Sequence, residues 1–286
     1  MQKIDRLVKA ASYASVLTAI TLLCAKVFAW SISDSTSVLS SLLDSLMDIV
    51  ASLVNFYAIR YALMPADDDH PFGHSKAEGI AALIQSAFIL GSSVLLLLQV
   101  GERFVNPKAV SAVDESIGVM VFSILLTTVL VLFQRYVSKK TRSLAVEADA
   151  THYYGDILTG VAVIVALLIA GRGWYWVDPL IALMIAVVLI YSVFGIARSA
   201  LTVLMDEALS HEDEEKIRTL ARAHAQVQGI HDLLTRRSGR ITFIQLHLEL
   251  NGEQSLVDAH RITKQVENSI RAVYSDAQII IHQDPV

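Results

Sequence analysis

The chain has 286 residues, of which 54% are hydrophobic and 18% charged, with a net charge of -5 and a mean hydropathy of +0.51. Soluble domains carry about a quarter charged residues, so this composition argues against a soluble protein and predicts one that lies in a membrane. The basic residues lack the interleaved aromatic residues of a nucleic-acid surface, and the single cysteine, Cys24, has no disulfide partner.

Six apolar runs follow the N-terminus, each long enough to cross a bilayer, which takes about 17 to 25 helical residues. They cover residues 11–30, 37–63, 80–100, 117–134, 148–170 and 177–198. A soluble protein with buried helices is the alternative, but it would need six consecutive long helices with almost no polar face. We therefore predict a bundle of six transmembrane helices over residues 1–208.

Basic residues are unequally divided between the two ends of these runs. Three fall on one side (Arg103, Lys108 and Arg172), against Lys3, Arg6, Lys9, Arg60, Lys76, Arg135, Lys139, Lys140, Arg142 and Arg198 on the other. Because cytoplasmic loops carry the excess of Lys and Arg, we expect both termini in the cytosol. No secretory cleavage pattern precedes the first run, so we expect that run to remain in the mature protein.

Two pairs of ionisable residues interrupt the second and fifth runs. Asp44 and Asp48 form one pair, and His152 and Asp156 form the other. A spacing of four places both members of a pair on one helix face, so two adjacent helices could surround one cation with four ligands. Such a set suits Zn²⁺ and is compatible with Cd²⁺, Fe²⁺, Co²⁺ or Mn²⁺.

The alternative for these acids is a structural one. Asp44 and Asp48 could pair with a basic residue such as Lys26, or share a proton. Lys26 is one positive charge against three carboxylates, however, and we expect it to extend away towards the membrane surface. Because intramembrane acids are costly and rare, we favour a transport site.

The loop ADDDHPFGHSKAE after the second run holds a second candidate cluster. Asp67, His70 and His74 could form a mixed carboxylate and imidazole metal site, although the neighbouring aspartates, Asp68 and Asp69, could equally reach the ion. A solvated acidic loop with incidental histidines is the alternative.

The composition changes after about residue 205, and residues 209–286 predict a cytosolic α+β domain. Helical periodicity in HEDEEKIRTLARAHAQV and SLVDAHRITKQVENSIRAVY, with strand patterns in VQGIHDLLTRRSGRITFIQLHLEL and AQIIIHQ, gives the order αββαβ. This order can build a two-layer sandwich with both helices on one face of the sheet. Its candidate metal ligands are His231, His247, His260, His282 and Asp284.

Four segments together resemble the cation diffusion facilitator family, and within it the bacterial zinc and iron exporters of the YiiP type. They are LLDSLMDIVAS, ADDDHPFGHSKAE, ADATHYYGDILTG and IHQDP. The resemblance covers essentially the whole chain. It implies a homodimer in the bacterial inner membrane, with a metallochaperone-like cytosolic domain, that exchanges a divalent metal for protons.

The resemblance also implies a role for each candidate residue. Asp44, Asp48, His152 and Asp156 would be the transport site, and Asp67, His70 and His74 the loop site. The cytosolic pair of ions would be held by His231, His247, His282 and Asp284, assisted by His260 and Gln283. Lys76 and Asp206 would correspond to a charge interlock near the dimer interface.

We therefore predict a divalent cation exporter, for Zn²⁺ first and also for Cd²⁺ or Fe²⁺, that works by alternating access and proton antiport through His152, Asp48 and Asp156. An exporter of organic cations would also use intramembrane acids, but it has no need of histidines in the loop and C-terminal domain. An intramembrane metalloenzyme would typically need an HExxH motif, which the sequence lacks. We expect a transporter and not an enzyme.

Overall fold

A computed structural model of the chain describes residues 2–33, 36–105, 114–170 and 177–286. The chain divides into two compact units, Met1–Leu201 and Thr202–Val286. The sequence placed the boundary slightly later, after residue 208, and that position stays a prediction.

Six long α-helices follow one another in the first part of the chain: α1 (Gln2–Ser33), α2 (Thr36–Ala62), α3 (Ala77–Val105), α4 (Asp114–Thr141), α5 (Leu144–Ala170) and α6 (Val177–Leu204). Four contain described segments that are long and apolar enough to cross a membrane, namely Ile4–Ser31, Ala77–Glu102, Gly118–Thr141 and Pro179–Leu204. These four confirm the first, third, fourth and sixth predicted runs as candidate spans. The second and fifth runs are helical as well, and their passage through the membrane stays a prediction.

The helices pack so that the two carrying the ionisable pairs meet. Helix α1 packs on α2 and α4, α5 packs on α3 and α4, and α2 also contacts α5. Buried residues such as Val8, Ile59 and Val137 join α1, α2 and α4. On the outside, large apolar side chains such as Leu125 and Tyr191 are 63% and 82% exposed, which suits contact with lipid.

The second unit has the predicted αββαβ order. It consists of α7 (His211–Arg222), β1 (Gly229–Ser238), β2 (Ile241–Leu250), α8 (Leu256–Val273) and β3 (Ala277–Pro285). The sheet order is β1-β2-β3, with β2 antiparallel to β1 and parallel to β3. Helix α7 ends earlier than predicted, because the chain after Arg222 turns towards β1 and Val227 packs against the core of the unit.

The central strand β2 separates a core face from a polar face. Ile244, Leu246 and Leu248 are at most 1% exposed and pack with Ile217 of α7 and Ile262 of α8. Both helices therefore cover one face of the sheet, as the sequence predicted. Because successive strand residues point to opposite faces, the residue between Leu246 and Leu248 points away from this core.

Asp213 connects the two helices of this unit. Its backbone N–H donates to the capping Ser210 Oγ at 3.2 Å, and the Tyr274 hydroxyl donates to Asp213 Oδ1 at 2.9 Å. The hydrogen bonds from the Ser210 and Tyr274 hydroxyls hold the pKa of Asp213 below its ordinary value.

Replacing Tyr274 with phenylalanine in residues 209–286 is expected to lower the free energy of unfolding by about 1 kcal/mol, since one hydrogen bond to a carboxylate is lost. For a domain of this size the melting temperature should fall by roughly 4–8 °C. The loss should be present at pH 7 and shrink as the pH falls through the lowered pKa of Asp213, because the protonated carboxyl no longer favours the folded state. Thermal melts at pH 7 and pH 2.5 check this, and equal losses at both would contradict it.

Candidate metal sites

Helices α2 and α5 bring together three of the four residues predicted to lie in the membrane. His152 Nε2 lies 3.1 Å from Asp48 Oδ1 and 4.0 Å from Asp156 Oδ2. One ligand atom from each of these three side chains lies within 4.8 Å of the others. Four ligand atoms around Zn²⁺ at about 2.0–2.2 Å from the ion would be separated by similar distances, so the group has the dimensions of a metal site.

Asp44 lies one turn before Asp48 on α2, as its spacing requires, and its side chain is exposed. It is not among the groups of described residues whose ligand atoms lie this close together. A tetrahedral ion held by three residues has a fourth position, and Asp44 as the fourth ligand stays a prediction.

Lys26 does not extend away from these residues as expected from sequence. Its Nζ donates to Ser45 Oγ of α2 at 2.6 Å, and Ser45 is 1% exposed and directly follows Asp44. The lysine side chain therefore reaches the turn of α2 that carries Asp44 and Asp48, because the packing of α1 on α2 places a buried hydroxyl within its reach.

A buried polar layer lies next to Asp48 and His152 and was missed by the sequence analysis. Ser15, Ser52 and Tyr153 are connected through their hydroxyls, with 3.1 Å between the two serines and 2.8 Å between Ser52 and Tyr153. Gln134 Nε2 donates to Asp149 Oδ2 at 2.6 Å, which ties α4 to α5. The available signal was spacing, since Ser52 follows Asp48 by one turn and Asp149 precedes His152 by one turn.

The loop between α2 and α3 forms the second group of potential ligands. Asp67 Oδ1 lies 3.1 Å from His70 Nδ1, and Asp67 Oδ2 lies 3.2 Å from His74 Nε2. Of the three consecutive aspartates, the structure thus places Asp67 between both histidines. Partial desolvation would raise the pKa of Asp67, but hydrogen bonds from the backbone N–H and ring of His70, with the charges of both histidines, bring it below the ordinary value.

The surroundings of His74 fix the orientation of its ring. Its Nδ1 lies 3.1 Å from the carbonyl oxygen of Pro65, and the ring meets Tyr61 edge-on with centroids 4.5 Å apart. An Nδ1–H that donates to this carbonyl leaves the Nε2 lone pair directed at Asp67, the arrangement typical of a metal-binding histidine. Gly73 closes the loop at a φ of 80°, where a side chain would be strained.

The third group lies on the polar face of the cytosolic sheet. The strand register aligns His231, His247 and His282 across β1, β2 and β3. Asp284 Oδ2 lies 3.0 Å from His231 Nε2 and 2.8 Å from His247 Nδ1, and its Oδ1 lies 3.3 Å from His282 Nε2. The hydrogen bond from the His247 ring holds the pKa of Asp284 below its ordinary value, so this carboxylate is ionised at neutral pH, as a metal ligand must be.

Two acidic residues of this face were not predicted from sequence. Glu249 Oε1 lies 2.9 Å from His231 Nδ1, and Asp232 forms a second group of potential ligands with His231 and His247. Asp232 has a φ of 47° at the irregularity of β1 between His231 and Leu234. His260 lies exposed on α8 and is not among these groups, so its assisting role stays a prediction.

The predicted charge interlock involves Lys76, just before α3, and Asp206, just after α6. The backbone carbonyl of Lys76 accepts from the N–H of Gly79 at 2.9 Å. The Asp206 carboxylate accepts from Arg236 at 2.9 Å, and the Arg236 guanidinium lies 4.4 Å from the ring centroid of Phe243. The interlock itself stays a prediction.

Both parts of the chain match known families. Residues 12–205 match the cation efflux transmembrane domain, and residues 209–286 match the cytoplasmic domain of cation efflux proteins. The cation-efflux pump FieF of Shewanella oneidensis is 46% identical over 282 residues, which cover 99% of this chain and 95% of that protein. FieF of Klebsiella pneumoniae subsp. pneumoniae is 43% identical over 284 residues, with the same coverage.

A solved structure, the metal-bound C-terminal domain of the CzcD transporter from Thermotoga maritima, matches 27% of this chain and 94% of its own length. Its identity is 23% and its TM-score 0.26, so the family assignment rests on the sequence relatives.

Apolar helices, a cluster of two acids and a histidine, and these relatives together define a membrane-embedded cation transporter and not an enzyme. The chain belongs to the cation efflux family, the cation diffusion facilitators, and to its YiiP type. The resemblance seen in the four sequence motifs is thereby confirmed.

Proposed function

We propose that this protein exports divalent metal from the cytosol, Zn²⁺ first and also Cd²⁺ or Fe²⁺, in exchange for protons. The observation that supports this most directly is the group of Asp48, His152 and Asp156 on two adjoining helices that we take to cross the membrane. Two carboxylates and an imidazole whose ligand atoms lie within 4.8 Å of one another suit a borderline ion such as Zn²⁺. Asp44, which forms a pair with Asp48 on α2, would be the fourth ligand.

The same side chains bind protons and metal in turn. A metal ion needs the carboxylates ionised and the imidazole neutral, so Zn²⁺ entering from the cytosol displaces protons from Asp48, His152 and Asp156. After the bundle opens to the opposite side, protons driven inwards by the membrane potential return to these groups and release the ion. Competition for one site thus couples export to proton entry.

The two remaining groups of ligands would regulate transport. We assign the loop site to Asp67, His70 and His74, and the cytosolic site to His231, His247, His282 and Asp284. Both lie outside the apolar helices, so metal bound there is not on its way through the membrane. The cytosolic domain would sense metal within a homodimer and bias the two states of the bundle. Both termini would face the cytosol across a bacterial inner membrane.

The function is tested by metal flux in proteoliposomes that contain the full-length protein. Zn²⁺, Cd²⁺, Fe²⁺ and Mn²⁺ are compared with and without an imposed pH gradient. We expect Zn²⁺ flux that a pH gradient accelerates, accompanied by counterflow of protons. Zinc flux that neither responds to the gradient nor moves protons would contradict the antiport.

Replacing His152 with aspartate is expected to shift selectivity from Zn²⁺ towards harder ions such as Mn²⁺. The imidazole is the only nitrogen ligand in the group, and sites made entirely of oxygen suit harder ions. The ratio of zinc to manganese flux should fall by about tenfold, which corresponds to about 1.4 kcal/mol of differential binding. The same flux assay measures it, with His211→Asp in α7 as the matched control, and an unchanged ratio with an unchanged pH profile would remove His152 from the ligands.

A further inference from the structure

Lys26 is a charged residue in the apolar part of α1. After Lys9 no other charged residue occurs in this helix, and Lys26 lies within the candidate span Ile4–Ser31. An ionisable side chain at such a position is costly, so it calls for a partner or a function.

The side chain reaches the turn of α2 that carries the transport carboxylates Asp44 and Asp48. Lys26 Nζ donates to Ser45 Oγ at 2.6 Å, and Ser45 lies in the helical turn from Asp44 to Asp48. The positive charge also acts on the carboxylates of Asp44 and Asp156, on two different helices. Helix α1 thereby contributes a fixed cation to a site whose ligands come from α2 and α5.

The charge of Lys26 lowers the net negative charge that a bound metal ion has to neutralise. Asp44, Asp48 and Asp156 together bring three negative charges when ionised, and Lys26 reduces the sum to two, the charge that one divalent ion neutralises. Asp149, one turn before His152 on α5, is held separately by Gln134. Without Lys26, a bound divalent ion would leave one carboxylate uncompensated, and the ion would be attracted more strongly.

We propose that Lys26 is the resident counter-ion of the transport site, a residue that weakens metal binding and so permits release. This inference rests on the proposed function of Asp48, His152 and Asp156. A site that conducts or carries an ion must bind it well enough to capture it and weakly enough to let it go. Ser45 holds the ammonium group beside the site, where its charge repels the arriving metal.

The test is zinc binding to the full-length protein in detergent, measured by titration calorimetry at pH 8, where protons compete little. The transport-site component is the part of the binding that Asp48→Ala removes. In Lys26→Met this component should bind zinc about tenfold more tightly or better, since a positive charge that repels the ion is lost. Zinc release into proteoliposomes should slow accordingly. Lys26→Arg, which keeps the charge, should stay within about threefold of the unmodified protein.

Lys9→Met is the matched control, because it removes a positive charge from the same helix outside the site. It should leave the transport-site affinity unchanged. An unchanged or weaker affinity in Lys26→Met, or equal tightening in Lys9→Met, would overturn the inference. If Asp48→Ala removes no binding component, the proposed transport site fails instead, so the two failures are distinguishable.

Discussion

Zinc flux should fall by about 100-fold or more when Asp48 is replaced with alanine. Loss of a residue that merely orients a ligand already costs about 10–100-fold in metal affinity, and Asp48 would itself be a ligand. Its Oδ1 lies 3.1 Å from His152 Nε2, so its removal also takes away the partner that positions the imidazole. Asp156→Ala should behave alike, since Asp156 belongs to the same group.

The measurement is initial zinc flux in proteoliposomes, with size-exclusion chromatography as a check that assembly is intact. Asp69→Ala is the matched control, because it removes a carboxylate from the loop outside the described groups of ligands. Asp44→Ala tests whether Asp44 is the fourth ligand, since Asp44 lies outside the group in the structure. Near-normal flux in a well-assembled Asp48→Ala protein would eliminate this group as the transport site.

The cytosolic domain, residues 209–286 expressed alone, should bind zinc and melt at a markedly higher temperature with the metal than without it. The unit has its own hydrophobic core between the sheet and its two helices. A domain of this size has a limited core, so metal that binds the folded state alone adds about 2.7 kcal/mol at a hundredfold excess over its Kd. This corresponds to an increase in melting temperature of roughly 10 °C or more.

Replacing His247 and Asp284 together with alanine should remove both the metal and the zinc-dependent stabilisation. Asp284 contacts all three aligned histidines, so the residue that joins them into one group would be lost. His211→Ala is the control histidine, at the start of α7. In the full-length protein the double variant should slow zinc flux rather than abolish it. Equal melting temperatures with zinc and with chelator, or a double variant as inactive as Asp48→Ala, would contradict a regulatory role.

Local patterns in the sequence predicted the elements that carry the chemistry. The spacing of four predicted that Asp44 and Asp48 share one face of a helix and that His152 and Asp156 share one face of another. This inference depends only on the period of a single helix. The order αββαβ followed in the same way from periodicity and turn residues.

These sequence patterns could not predict which side chains meet through the tertiary fold. Which of three consecutive aspartates faces the loop histidines depends on how the chain returns at Gly73. The approach of Lys26 to Ser45 depends on the rotation of α1 against α2, and that of Glu249 to His231 on the register of two strands. Such contacts are set by tertiary packing, for which a single sequence carries no periodic signal.

Strand β2 carries core residues and the proposed metal ligand His247 on alternate positions, so metal binding there would depend on correct strand pairing. A shift of β2 by one residue against its neighbours would turn His247 into the core and a leucine out to solvent. It would also break the alignment of the three histidines, and the ion could no longer be held. Zinc bound to these histidines would therefore stabilise only the observed strand register, and binding of the metal would depend on the proposed sensor domain being correctly folded.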